Sequence, residues 1–217
     1  MEKYLQSGGP RRPPDPKQRW LTFIHNHAKV IVACDFFVVV TASFRTLYVF
    51  VIMELGTRRI LHQNVTAHPT AEWTLQQFRE ALPDEHPYRF VIHDRDSIFS
   101  KDLDSGVKAM GVRVLRTPVR APKANAVCER LGGSLRRECL DFLIPLTERL
   151  KKTVEEWRMH YNRGRPHSSL GPGVPESNRD SIPASGHRHR LPAGYGIAKT
   201  AVLGGLHHEY RLVKEAA

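Results

Sequence analysis

Three strand-like stretches, the first two of them nearly unbroken apolar runs, dominate the first third of the chain. Residues 30–40, 47–55 and 59–65 are rich in Val, Ile and Phe, and only short breaks, 41–43 and Gly56, separate them. Runs of this length and composition read as β-strands, and such short breaks imply two hairpin links, so the three strands should pair antiparallel. After Pro69 the period changes: Trp73, Gln77 and Ala81, with Leu75, Phe78 and Leu82, fall at helical spacing until Pro83. A short strand at 89–93, a helix at 102–110 stopped by Gly111, and a fifth strand at 112–115 complete a βββαβαβ order. After Pro118 and Pro122, residues 125–139 and 146–161 read as two more helices, the second with Leu146, Leu150, Val154, Trp157 and Tyr161 on one stripe. The pattern predicts an α/β fold, a five-stranded sheet flanked by helices. Residues 1–19 read as a flexible leader, 20–175 as the folded core and 176–217 as an extended basic tail rich in Pro, Gly and His.

Composition adds exclusions. At 217 residues, 41% hydrophobic and 25% charged, the chain is long enough to bury a core in one domain. No apolar run is long enough to span a bilayer and the start lacks a signal-peptide core, so a cytoplasmic protein with no membrane partner is expected. Cys34, Cys128 and Cys139 have no paired spacing and should be reduced and structural. The His25/His27, His187/His189 and His207/His208 pairs lack companion ligands at zinc spacing, so they read as solvent-facing or DNA-adjacent.

Net charge is +11, and its distribution changes the picture. Residues 30–112 carry eight basic and ten acidic side chains, whereas 113–165 carry thirteen and six. A slightly acidic stretch followed by a strongly basic, arginine-dominated one suits a site for a cation beside a surface for phosphates. Arg116, Arg120 and Lys123 precede the helix that begins near Asn125, and Arg130, Arg136 and Arg137 lie on it; all six are candidate DNA contacts. Gly132 and Gly133 in that helix suit a close approach, to the sheet or to DNA.

One acid stands out within the apolar pattern. Asp35 interrupts VIVACDFFVVV, and burying a lone carboxylate is costly without a compensating partner. Asp94 lies just past the fourth strand in FVIHDRDSIFS, and Glu129 lies inside the helix of APKANAVCERLGGSLRREC. If the first and fourth strands are neighbours, Asp35 and Asp94 converge at one sheet edge, and a helix crossing that edge supplies Glu129. Three carboxylates would suit Mg²⁺ or Mn²⁺, and a pair of such ions supports phosphoryl transfer. Taken singly, each residue also has a plainer reading: Asp35 as an acid satisfied by backbone donors, Glu129 as a surface carboxylate, and Asp96 as a rival to Asp94.

These segments resemble the catalytic core of retroviral-type integrases and bacterial insertion-sequence transposases. Asp35 stands as the strand aspartate, and Asp94 in DRDSIF matches the family's D-N-G-S-x-F-like turn. APKANAVCER matches the S-P-x-x-N-x-x-x-E-R-like helix start at Pro122, Asn125, Glu129 and Arg130, and HYNRGRPHSSLG, residues 160–171, resembles the segment closing many such cores. Two positions depart from the pattern: Asp96 and Ala126 stand where glycine is usual. The resemblance implies a ribonuclease-H-like mixed sheet with the first three strands antiparallel, and Asp35, Asp94 and Glu129 as ligands of one or two Mg²⁺ (or Mn²⁺) ions. The implied activity is that of a DDE transposase or integrase, which frees a 3′-hydroxyl at a transposon end and joins it to target DNA. Such enzymes act as oligomers on DNA, and related transposases carry helix-turn-helix readers, so a homo-oligomer on DNA and a separate recognition subunit are both candidate partners. Two other readings remain: an inactive, truncated DNA-binding remnant, and a ribonuclease-H-like nuclease.

Overall fold

The computed structural model describes residues 16–117, 126–144, 146–171, 173–176 and 191–215. The chain runs α1 (Pro16–His27), β1 (Ile31–Val40), β2 (Thr46–Glu54), β3 (Ile60–Thr66), α2 (Ala71–Ala81), β4 (Phe90–His93), α3 (Lys101–Ala109), β5 (Arg113–Arg116), α4 (Ala126–Leu135), α5 (Thr147–Arg163), β6 (Tyr195–Val202) and β7 (His207–Lys214). Five strands form one sheet in the order β3-β2-β1-β4-β5. The hairpins β1–β2 and β2–β3 are antiparallel, and β1–β4 and β4–β5 are parallel. The sheet is therefore mixed, with its first three strands antiparallel as the short breaks required.

Both faces of the sheet are covered, which explains why β1 and β2 carry apolar residues on both sides. Alternate residues of β1 enter different cores. Val32 and Cys34 join Phe50, Ile52, Phe78, Leu103 and Val107 beneath α2 and α3. On the opposite face, Ile31 and Ala33 meet Ile92 and Cys128, while Val39 joins Leu131, Leu135, Val154 and Trp157 of α4 and α5. Thr70 and Ser100 cap α2 and α3 by accepting from Trp73 N and Leu103 N, at 3.1 and 3.2 Å.

Two elements differ from the sequence expectation. The helix α1 begins at Pro16, within the stretch read as leader, and packs Trp20, Phe23 and Ile24 against Ile31, Ala33 and Ile92. Phe23 meets Phe90 edge-on with centroids 5.3 Å apart. Residues 195–214, read as extended tail, are indeed extended but pair as a β6–β7 hairpin. It is docked on the core: His207 stacks on His160 at 5.0 Å and bonds the Glu138 carbonyl at 2.6 Å, and Glu209 bonds His160 at 3.0 Å. His207 is thus half-buried rather than solvent-facing. His187 and His189 lie outside the described residues. All three cysteines are buried, and no disulfide joins them.

Candidate active site

The central strand β1 runs past the end of its parallel neighbour. The last β1–β4 pair is Ala33 with Ile92, and β4 stops at His93. Asp35, within β1, and Asp94, the first residue after β4, each lie two positions beyond that pair, and neighbouring strands are spaced about 4.8 Å apart. Asp94 follows the carboxyl end of β4, where open α/β sheets place ligands, and Asp35 lies midway along the longer β1.

Helix α4 crosses this same face. Cys128 packs with Ala33 and Ile92, and one turn later a Cβ on Gly132 would lie 2.5 Å from the Phe37 ring. Ala33, Asp35 and Phe37 point to one side of β1, so Asp35 lies between the two contacts and Glu129, next to Cys128, is on the turn that joins them. Gly132 is what lets helix and strand approach so closely. Gly133 faces away, toward the Arg137 guanidinium.

Electrostatics ties the acids together. Burial, foremost, and then the charge of Asp94 push the Asp35 carboxyl from 3.8 up to about 7; the Phe36 N–H, donating to Asp35 Oδ1 at 2.9 Å, works against them, and Glu129 and Asp96 add to the rise. Asp35 is half-buried, Asp94 is half-buried and Glu129 is exposed. Among the described residues, no three His, Cys, Asp or Glu side chains are gathered closely enough to hold a metal ion. The carboxylates are within electrostatic reach of one another without forming a closed ligand set.

Asp96 is occupied in the turn. Its Oδ1 accepts from Ile98 N at 3.0 Å, and its own N–H donates to Asp94 Oδ1 at 3.0 Å, which fixes the Asp94 side chain. Behind Asp94 runs a chain absent from the sequence reading. His93 Nδ1 bonds the Asp94 carbonyl at 2.6 Å, His93 Nε2 meets Asp104 at 3.0 Å, and Asp104 accepts two bonds from Arg116 at 3.0 and 2.6 Å. His93 also stacks on Phe99 at 4.4 Å. Asp104 sits on the buried stripe of α3 between Leu103 and Val107, and an acid in an apolar helical stripe is the signal that could have revealed it.

The candidate DNA contacts divide accordingly. Arg116 spends its guanidinium on Asp104, while Arg130, Arg136 and Arg137 are exposed on α4 and the π-turn 136–140 that continues it. Arg120 and Lys123, with Pro122 and Asn125 of the helix-start motif, lie outside the described residues. The HYNRGRPHSSLG segment staples the core: Asn162 bonds both N and O of Ile60 at 2.9 Å, and Arg165 pairs with Glu138.

Three retroviral structures superpose on the chain: a chain of the simian T-cell lymphotropic virus intasome bound to a PP2A regulatory subunit (TM-score 0.57, 11% identity, 84% of this chain and 66% of that one), the BIV integrase catalytic core domain (0.53, 13%, 68% and 91%) and the magnesium-bound HTLV-2 integrase catalytic core domain (0.54, 11%, 68% and 93%). The fold is that of an integrase catalytic core, ribonuclease-H-like. Residues 110–175 match the integrase core domain family, and 52 residues are 40% identical to an uncharacterized 39.2 kDa protein of insertion element IS476 from Xanthomonas euvesicatoria. That match covers 24% of this chain and 15% of the insertion-element protein. The integrase-core match begins just before β5 and takes in α4 and α5, so it contains Glu129 but neither aspartate. No described helix is long and apolar enough to cross a membrane.

Proposed function

We propose that this integrase-type core is the catalytic part of a DDE transposase, cleaving DNA at a transposon 3′ end and joining it to a target. The observation that supports this reading is the strand register: Asp35 and Asp94 each follow the Ala33–Ile92 pair by two residues, and the charges of Asp94 and Glu129 both raise the Asp35 pKa. The donor set fits a divalent cation. It is made of hard oxygen ligands, and the Asp35 pKa, raised first by burial and then by the charge of Asp94, would be relieved by a cation between the two. Asp35, Asp94 and Glu129 would hold Mg²⁺, or Mn²⁺, which when bound lowers the pKa of water and polarises a phosphodiester.

The chain's own residues supply positioning. The Asp96 N–H and the His93–Asp104–Arg116 relay fix the turn that presents Asp94, and β1 fixes Asp35 through its pairing with β2. Arg130, Arg136 and Arg137, with Arg120 and Lys123, offer positive charge to the DNA backbone. No serine or tyrosine nucleophile is required, because the attacking groups are water and then the freed 3′-hydroxyl. A homo-oligomer on DNA, with a separate reader of the element ends, fits this reading.

One observation favours a second reading, an inactive DNA-binding remnant: the open, ungathered state of the three carboxylates. A cleavage and joining assay on labelled duplex ends with Mg²⁺ separates the cases. Joined products support the transposase, nicking alone supports a ribonuclease-H-like nuclease, and retardation without either supports the remnant.

A further inference from the structure

We propose that the cleft between α4, the β2–β3 turn and the segment after α5 seats a DNA backbone phosphodiester between the guanidinium groups of Arg58 and Arg130. The cleft has a volume of about 300 Å³ and is walled by Tyr161. Hydroxyls of Ser134, Ser168 and Ser169 line it, so it offers neutral donors beside the two cations. His167, also in the wall, is held by the Tyr161 carbonyl.

The charges in this cleft lack an internal answer. Arg165, at the rim, is committed to Glu138, donating to its carboxylate at 2.7 Å. Arg58 and Arg130 have no carboxylate partner among the described residues. Burial, foremost, and the positive charge of Arg130 push the pKa of the half-buried Arg58 down. Two like charges held together at a partly desolvated place oppose folding unless an anion joins them. Arg58 also adopts a left-handed backbone with φ 66°, a conformation that disfavours any side chain. The turn thus carries local strain to hold a guanidinium where no acid among the described residues meets it.

The choice of a phosphodiester over a free anion rests on the DNA reading proposed above. Arg130 follows Glu129 directly on α4, so one strand entering the carboxylate site passes the mouth of this cleft. Its place is that of a phosphate away from the reacting one. The HSS portion of the closing segment, which the sequence motif singled out without a role, then serves as the floor of a phosphate seat.

The test uses the whole chain and Arg58→Gly, which removes the guanidinium while relieving the left-handed backbone, so the variant should fold with a Tm no lower than the wild type. Fluorescence anisotropy with a labelled duplex over a salt series should show about tenfold weaker binding. The slope of log K against log salt should fall by about 0.9, the loss of one phosphate contact. Arg58→Lys should recover most of both. A folded Arg58→Gly protein with wild-type affinity and slope overturns the proposal and leaves the DNA reading intact. If the wild type binds no duplex, the DNA reading fails. Inorganic phosphate raising the Tm of the wild type but not of Arg58→Gly would then make the cleft a free-phosphate site and overturn the phosphodiester assignment.

Discussion

Replacing Asp35 with asparagine should make the metal-free protein more stable above neutral pH. In the folded chain the Asp35 pKa lies at about 7 against 3.8, so the native state holds its proton more tightly across that window. Stability contributed by the protonated form is complete below pH 4, is lost as pH rises toward 7, and stays lost above it. Three units correspond to about 4 kcal/mol, and partial solvent access reduces this to about 2 kcal/mol. Asparagine has the same shape, can still accept from the Phe36 N–H, and carries no charge to repel Asp94 and Glu129. Thermal melts in EDTA at pH 4, 6 and 8 should place the variant level with the wild type at pH 4. At pH 8 it should melt about 4–8 °C higher, as expected for a chain of this size. Adding Mg²⁺ at pH 8 should raise the wild-type Tm and leave Asp35→Asn nearly unmoved. A variant that melts at or below the wild type at pH 8, or with one offset at every pH, refutes the reasoning.

Other substitutions probe the frame around the site. Gly132→Ala places a Cβ 2.5 Å from the Phe37 ring, so the ring or α4 must shift; urea unfolding should show a loss of about 1–3 kcal/mol. Gly133→Ala meets only the movable Arg137 tip and should gain about 0.8–1 kcal/mol of helix propensity in the same assay. Asp104→Asn removes the charge joining His93 to Arg116, costing about 2 kcal/mol in urea unfolding; loss of protection of the Asp94–Phe99 amides in hydrogen exchange locates the damage.

Much of the frame was legible because burial on both faces leaves a plain mark. The unbroken apolar runs of β1 and β2 follow from cores on each side of the sheet, and the α2 stripe shows in Phe78 and Leu82. Asp35 was conspicuous for the same reason. Helix α1 left little signal, since its polar and basic residues hide three apolar contacts, Trp20, Phe23 and Ile24. The β6–β7 hairpin was hidden because its strands are half exposed and its hold on the core is confined to the turn, through Val202, Leu203 and Leu206, and to polar contacts of His207 and Glu209. Arg116 shows the limit of charge counting. Sequence reveals a guanidinium near a basic helix, but only the fold brings Asp104 of α3 to its tip. Arg58 was overlooked because an Arg-Arg pair in a tight turn carries no pattern, and its importance comes from the distant segments that enclose it.

The central claim is that Asp35, Asp94 and Glu129 work as one site in DNA joining. Its most direct test is Mg²⁺-dependent joining of labelled element ends by Asp35→Asn, Asp94→Asn and Glu129→Gln, with DNA retardation measured in parallel. The account predicts that the wild type joins ends and that each single amide abolishes joining while DNA is still retarded. An Asp94→Asn protein that still joins ends would contradict it.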